Sequence, residues 1–403
     1  MSLYGTMRTG VSGMNAQANR LSTVADNIAN SSTVGYKKAS TQFSSMILPS
    51  GNGSYNSGGV NTTVRYSISD QGAFTYTTSA TDLAINGEGF FIVGGADGSN
   101  YLTRAGNFEV QPDGSLTNAA GFTLMGYPYS STTDPTIVIN GFDGLEEVNV
   151  QAGGMNSTPS KAGVVTGNLP SGETAGTYTK SSSLVAYDSQ GNSRLLDLAF
   201  SKTADNEWSL AVSYKDDAGT VHPLGSYALE FDAAGKLVVP AGGTISTAGL
   251  TIAGAELSPL DIDLSDMSQL GSPYSVEGNI DGRAASAVDT VEISKDGIVS
   301  ILYKNGQSMP AYRIAMANVQ SPNNLTPREG NVYSQSNDSG VIVMGYAGNS
   351  GYGSILSKAL EDSNVDIAGE LTSMIESQRN YTANSKVFQT GSELLETLVN
   401  LKR

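Results

Sequence analysis

The chain has 403 residues, 39% of them hydrophobic and 15% charged, with 47 glycines, no cysteine and a formal net charge of −16. Acidity on this scale argues against a nucleic-acid partner and against electrostatic docking on anionic lipid, both of which need basic surface. The absence of cysteine rules out disulfides, thiolate chemistry and cysteine-based zinc sites, and a Gly-rich, charge-poor composition favours a β-rich body over long helices.

The first thirty residues carry the clearest pattern. Met7, Val11, Met14, Ala18, Leu21, Ala25 and Ile28 alternate steps of four and three, an apolar seam at heptad spacing. Gly10 and Gly13 each cost such a helix about 1 kcal/mol relative to Ala, so its stability has to come from tertiary partners. The stretch is not a secretory signal, because Asn15, Gln17, Asn19 and Arg20 interrupt any compact apolar core. No apolar run is long enough to span a membrane. If the protein is extracellular, it is expected to be exported without a cleaved signal peptide. Residues 1–40 hold four bases against one acid, and residues 361–403 hold seven acids against four bases, so the two ends attract each other weakly.

Residues 31–70 are rich in Ser, Thr, Asn and Gly and read as an extended connector, with Gly35, Gly51, Gly53, Gly58 and Gly59 as points of freedom. Beyond them the pattern changes to period two with turn dipeptides: Asn86-Gly87, Asp97-Gly98, Asp113-Gly114, Asn140-Gly141, Asp281-Gly282, Asp296-Gly297 and Asn305-Gly306. Short strands spaced in this way point to antiparallel sandwiches or barrels. Gly/Ser/Pro-rich stretches at 160–178 and 265–276 bracket a further β-patterned block. The expected architecture is therefore mainly β with terminal α-helices. Residues 1–30 and 362–403 form a helical coiled-coil domain, 31–70 a connector, 71–150 and 276–361 an inner β-domain, and 151–275 an inserted outer β-domain. In the last segment Met374, Tyr381, Phe388 and Leu395 recur every seven residues, flanked by Leu371, Ile375, Leu394 and Leu398, and Asn364 or Asp366 is placed to cap the helix.

Catalysis finds little support. His222 is the single histidine, and nothing beside it marks a nucleophile. The stretches 188–192 and 205–207 lack the ligand spacing of a calcium loop. The G-x-G of residues 87–89 precedes a β-run where a dinucleotide site needs a helix. No catalytic, metal or cofactor-binding residue is assigned, and no cofactor is expected. The terminal seams remain the informative feature. They either pack on each other or on the β-body within one chain, or meet the helices of neighbouring copies, with the ends poorly ordered in the single chain and folding on assembly as the further expectation. The interface candidates for the second reading are Met7, Val11, Met14, Leu21, Ile28, Leu371, Met374, Tyr381, Phe388, Leu395 and Leu398.

The stretch from Ala25 to Ser40, ADNIANSSTVGYKKAS, resembles the N-terminal signature of the bacterial flagellar rod, hook and hook-associated protein family, and residues 363–401 resemble its C-terminal signature. Residues 82–93 and 101–128 are similar to the β-domain of its hook and distal-rod branch. The matching motif positions are Asn27, Ile28, Ala29, Asn30, Gly35 and Tyr36, then Asn364, Val365, Asp366, Gln378, Arg379 and Tyr381; Asp26 departs from the Asn found in many members. Length and the inserted block resemble the hook branch, with a distal-rod or hook–filament junction subunit as the second reading. The resemblance implies a homopolymer of many copies, a flexible curved tube outside the cell that carries torque from rod to filament. It also implies a hook cap, the distal rod, a hook-associated junction protein and the type III export apparatus as partners. A secreted β-rich enzyme or carbohydrate binder, with its site within 160–275, is the remaining alternative.

Overall fold

The computed structural model describes all residues except 1–2, 48–56, 131–134, 152–153, 217, 350 and 402–403. Gly51 and Gly53 therefore lie outside the described residues. The chain forms two compact units. One comprises Met1–Ala152, Val291–Ile301 and Met309–Arg403, the other Gly153–Thr290 and Leu302–Ser308.

The first unit contains both helices, α1 (Leu3–Ala29) and α2 (Ile367–Leu401). Asp366 caps α2: its side chain accepts a hydrogen bond from the Ala368 N–H at 3.1 Å, satisfying one of the donors a helix start leaves open. Residues 31–70 hold an antiparallel hairpin of β1 (Ala39–Ile47) and β2 (Ser57–Tyr66), with Phe43 opposite Thr62 and Ala39 opposite Tyr66. The chain then enters a mostly antiparallel sheet in which strands Phe90–Gly94, Asn100–Thr103, Thr123–Pro128, Ser308–Asn318 and Val343–Tyr346 are neighbours. Its two faces carry different cores. Phe91, Val93, Ile314 and Met316 point into one, and Phe90, Ile92, Ala315 and Ala317 into the other. A sheet covered on both faces explains why residues 90–93 are a continuous apolar run rather than an alternation.

The second unit is a sandwich. Its five-stranded antiparallel sheet runs Thr179–Tyr187, Ser193–Ala204, Glu207–Lys215, Val221–Phe231 and Leu237–Val239. Strict alternation buries Leu196, Leu198 and Phe200 on one strand and Trp208, Leu210, Val212 and Tyr214 on the next. These share a core with Val165, Leu169, Ile245, Ile262 and Met267 from a second sheet. That sheet is mixed, because strand Ala162–Pro170 pairs in parallel with Asp261–Asp263 and with Met267–Leu270, a pairing the antiparallel expectation does not include.

Four of the turn dipeptides, at 97–98, 113–114, 296–297 and 305–306, join neighbouring strands. Gly114 shows why glycine stands there, at φ +88° with Asp113 accepting from the Ser115 N–H at 2.9 Å. Three do not close tight hairpins. Asn86-Gly87 ends a strand paired with Ser354–Ser357, and Asn140-Gly141 lies in a long loop. Asp281-Gly282 turns the chain from one sheet to another, with Asp281 accepting from the N–H groups of Lys161 and Ala162.

Candidate functional site

The two helices pack side by side and antiparallel. A Cβ on Gly391 would meet Met7, one on Gly10 would meet Phe388 and the Asn384 carbonyl, and one on Gly13 would strike the Asn384 side chain at 2.7 Å. Further along, Arg20 pairs with Glu376 at 2.9 Å and the Asn27 amide donates to Glu370 at 3.2 Å. Numbers rise on α1 as they fall on α2, which fixes the register. Gly10, Gly13 and Gly391 thus permit a close approach that larger residues would prevent, and this gain offsets their cost in helix propensity. On α2 the positions turned deepest into the contact are Glu370, Ser377, Asn384 and Gly391, seven residues apart; Glu370, Ser377 and Gly391 are buried and Asn384 half-buried.

The other flank of α1 lies on the hairpin through polar contacts. Ser12 Oγ donates to the Val60 carbonyl and accepts from the Val60 N–H, Asn19 donates to Thr62, and the Thr23 and Thr41 hydroxyls meet at 3.0 Å. Asn27 closes the row. Its amide donates to the Ala39 carbonyl at 2.7 Å and its oxygen accepts from the Ala39 N–H at 2.9 Å and from the Tyr36 hydroxyl at 3.3 Å.

Below the helix pair, the segments leaving α1 and entering α2 are tied to the β-body by a buried clasp. Glu361, fully buried, accepts from Lys37 Nζ and the Gly72 N–H through Oε1, and from Arg104 Nη1 at 3.3 Å through Oε2. Lys37 also donates to the Asp70 carbonyl, and Arg104 donates to the Gly87 carbonyl and lies over the Phe90 ring. Burial pulls the pKa of both cations down, and the Glu361 charge opposes the shift. Gly35, at φ +68°, brings its N–H to the Glu361 carbonyl at 2.7 Å, in a place where a Cβ would sit 2.6 Å from the Ala105 nitrogen. Asn364 accepts from the Lys38 N–H and donates to the Ser67 and Asp70 carbonyls. Lys38 Nζ reaches buried Glu370. Burial, with Asp26 adding to it, pushes the Tyr36 phenol up to about 12.

The family-motif positions fall mainly in this clasp and not on open surface. Asn27, Gly35, Tyr36 and Asn364 make the bonds just described, and Asp366 caps α2. Asn30 donates to the Asp26 carbonyl at the end of α1, and the Ile28 carbonyl accepts from Ser31. Ala29 is exposed and Val365 half-buried, and Gln378 and Arg379 stand on the exposed side of α2. Of the seam residues, Met7, Met14, Leu21, Ile28, Met374, Phe388 and Leu395 are half-buried, while Val11, Leu371, Tyr381 and Leu398 are exposed. Ile367, Ile375, Val387, Leu394 and Val399 are exposed as well, so α2 carries an apolar surface that the described residues of its own chain do not cover. Apolar periodicity could not reveal Glu361, Arg104 or the Glu370–Gly391 row. The available signal was the seven-residue repeat of small and polar residues facing Gly10 and Gly13.

Among the described residues no cluster of three or more His, Cys, Asp and Glu side chains could hold a metal ion, and no helix is long and apolar enough to cross a membrane. Asp188, weighed as part of a calcium-type loop, is saturated by protein donors: the Gln190 and Asn192 N–H groups, the Asn192 amide and the Arg194 guanidinium.

Four family models match in chain order. Residues 7–37 match the flagella basal body rod protein, 84–167 the flagellar hook protein FlgE/F/G D1 domain, 155–282 the flagellar basal body protein FlaE D2 domain, and 356–401 the flagellar basal body rod FlgEFG protein C-terminal region. The flagellar hook protein FlgE of Rhizobium meliloti is 60% identical over 100% of both chains. That of Brucella suis is 50% identical over 100% of both, and that of Salmonella typhimurium 32% identical over 97% of this chain and 98% of its own. With all four regions matched in order and identity sustained along its whole length, the chain belongs to the flagellar hook protein family.

Proposed function

We propose that the chain is a structural subunit of the bacterial flagellar hook that polymerises through its terminal helix pair into a tube transmitting torque. The observation that carries this is the uncovered apolar surface of α2, where eight large side chains from Ile367 to Val399 are between 41% and 63% exposed. Burying each against a neighbour contributes about 1.5–3 kcal/mol, enough in sum to order and hold the ends. Such a surface on a solitary soluble chain is a liability; on a subunit it is the joint.

The clasp gives the torque a path. Force applied to the helix pair passes through Glu361, Lys37 and Arg104 into the sheet, across bonds shielded from water and salt. Interface candidates Met7, Val11, Met14, Leu21, Ile28, Leu371, Met374, Tyr381, Phe388, Leu395 and Leu398 then divide by role. Met7 and Phe388 join the two helices of one chain, and Val11, Leu371, Tyr381 and Leu398 meet other copies. Assembly under a hook cap, junctions with the distal rod and a hook-associated protein, and export by the flagellar type III apparatus complete this reading, which places the protein outside the cell. Raising the salt concentration over the purified chain is expected to give tubes in electron micrographs and a fast-sedimenting species. A chain that stays monomeric at every concentration and ionic strength contradicts it.

A further inference from the structure

Among the described residues, the register of the helix pair leaves one end of α2 without a partner on α1. Met7 lies against Gly391, so the described start of α1 at Leu3 stands opposite about residue 395, and the last turns of α2 run on past it. That overhang carries Leu398 and Val399, exposed by 59% and 63%, with exposed Leu394 just before it. Beside the same stretch of α1, between it and β2, runs a groove of about 570 Å³ whose apolar wall is Tyr4, Met7, Val11 and Phe388.

The charges left over point to one occupant. Of the four bases in residues 1–40, Arg20, Lys37 and Lys38 are ion-paired within the chain, while Arg8, in the groove wall and exposed, has no ion pair among the described residues. On α2, Glu370 and Glu376 are paired, and Glu393 and Glu396, both exposed, have no ion pair among the described residues. The unpaired charge beside the groove is thus basic and that on the distal turns of α2 acidic, while Arg379 and Lys386, on earlier turns of α2, and Asp26, at the far end of α1, also have no ion pair among the described residues.

We infer that the groove beside α1 receives the distal segment of α2 from a second copy, with Leu394, Leu398 and Val399 on its apolar wall and Glu393 and Glu396 facing Arg8. This rests on the polymeric reading above and specifies its contact. Groove and overhang are different patches of one molecule, so the contact is heterologous: each copy gives an overhang to one neighbour and takes one from another. Such contacts propagate as a helical array instead of closing as a dimer.

The test is a charge exchange at one fixed, moderate ionic strength, reading the critical concentration for polymerisation by sedimentation, with far-ultraviolet circular dichroism to verify folding. Arg8→Glu alone, and Glu393→Arg with Glu396→Arg, should each raise the critical concentration about fivefold or more. The chain carrying all three substitutions should return to within about twofold of the native value, since opposite charges face each other again. Single-sided variants that polymerise like the native chain, or a triple variant no better than the worse of them, overturn the assignment. Native tubes in that same experiment leave the polymeric reading intact, so the two failures are distinguishable.

Discussion

Glu361 is the residue on which the clasp converges. It is fully buried and stands between two cations that have no other carboxylate within ion-pair distance among the described residues. Glu361→Ala would leave Lys37 and Arg104 buried without a counter-charge and should cost about 3–5 kcal/mol in urea unfolding. Lys37→Met removes one cation and leaves Glu361 its bond to Arg104, so the loss should be smaller; equal losses would contradict the convergent geometry. Tyr36 gives a pH signature. Its folded pKa lies above the ordinary 10.0, at about 12, so its contribution is complete below pH 10 and is lost as pH rises from 10 to 12. The stability difference between the native chain and Tyr36→Phe should shrink across that window, and a constant difference would show that the phenol is not held neutral.

At the scale of elements, the α1–α2 contact is built on small and polar residues. Ser377 is fully buried and its hydroxyl, like the Gln17 side-chain oxygen, has no hydrogen-bond partner among the described residues. Ser377→Ala should therefore raise the melting temperature, removing a desolvated hydroxyl worth about 1 kcal/mol, whereas Ser377→Leu should lower it by forcing the helices apart, at about 1–3 kcal/mol. Both helices were legible from their repeats, but the face each turns to its partner was not. Apolar spacing picks out residues flanking the contact, including exposed Leu371 and Tyr381, because a glycine-lined seam buries little side chain. The β1–β2 hairpin escaped for a related reason. Its partner is the polar flank of α1, bonded through Ser12, Asn19, Thr23 and Asn27, so its sequence carries the Ser, Thr and Asn of a loop instead of an apolar alternation. The strands of the second unit were plain in the sequence because they alternate around a dry core at Leu198, Phe200, Trp208 and Leu210. Its parallel pairings were not, since residues 162–170 and 267–270 are far apart in the chain and no local turn records their direction.

For the whole molecule, the helix pair and the clasp divide the work. In the proposed reading the exposed side of α2 joins copies, and the clasp keeps that joint in register with the β-body of the same chain. Weakening the clasp with Lys37→Met should therefore leave tubes able to form but easier to twist, measured as a lower torsional rigidity of single tubes; a tube unchanged in twist would place the torque path elsewhere. The central claim is that α1 and α2, packed on each other within one chain, are also the surface by which copies meet. An electron cryomicroscopy reconstruction of tubes grown from the purified chain tests it most directly. The account predicts an intact antiparallel α1–α2 pair in every subunit, with Leu371, Leu394, Leu398 and Val399 buried against adjacent copies. A tube in which those side chains face solvent, held together by the β-units alone, would contradict it.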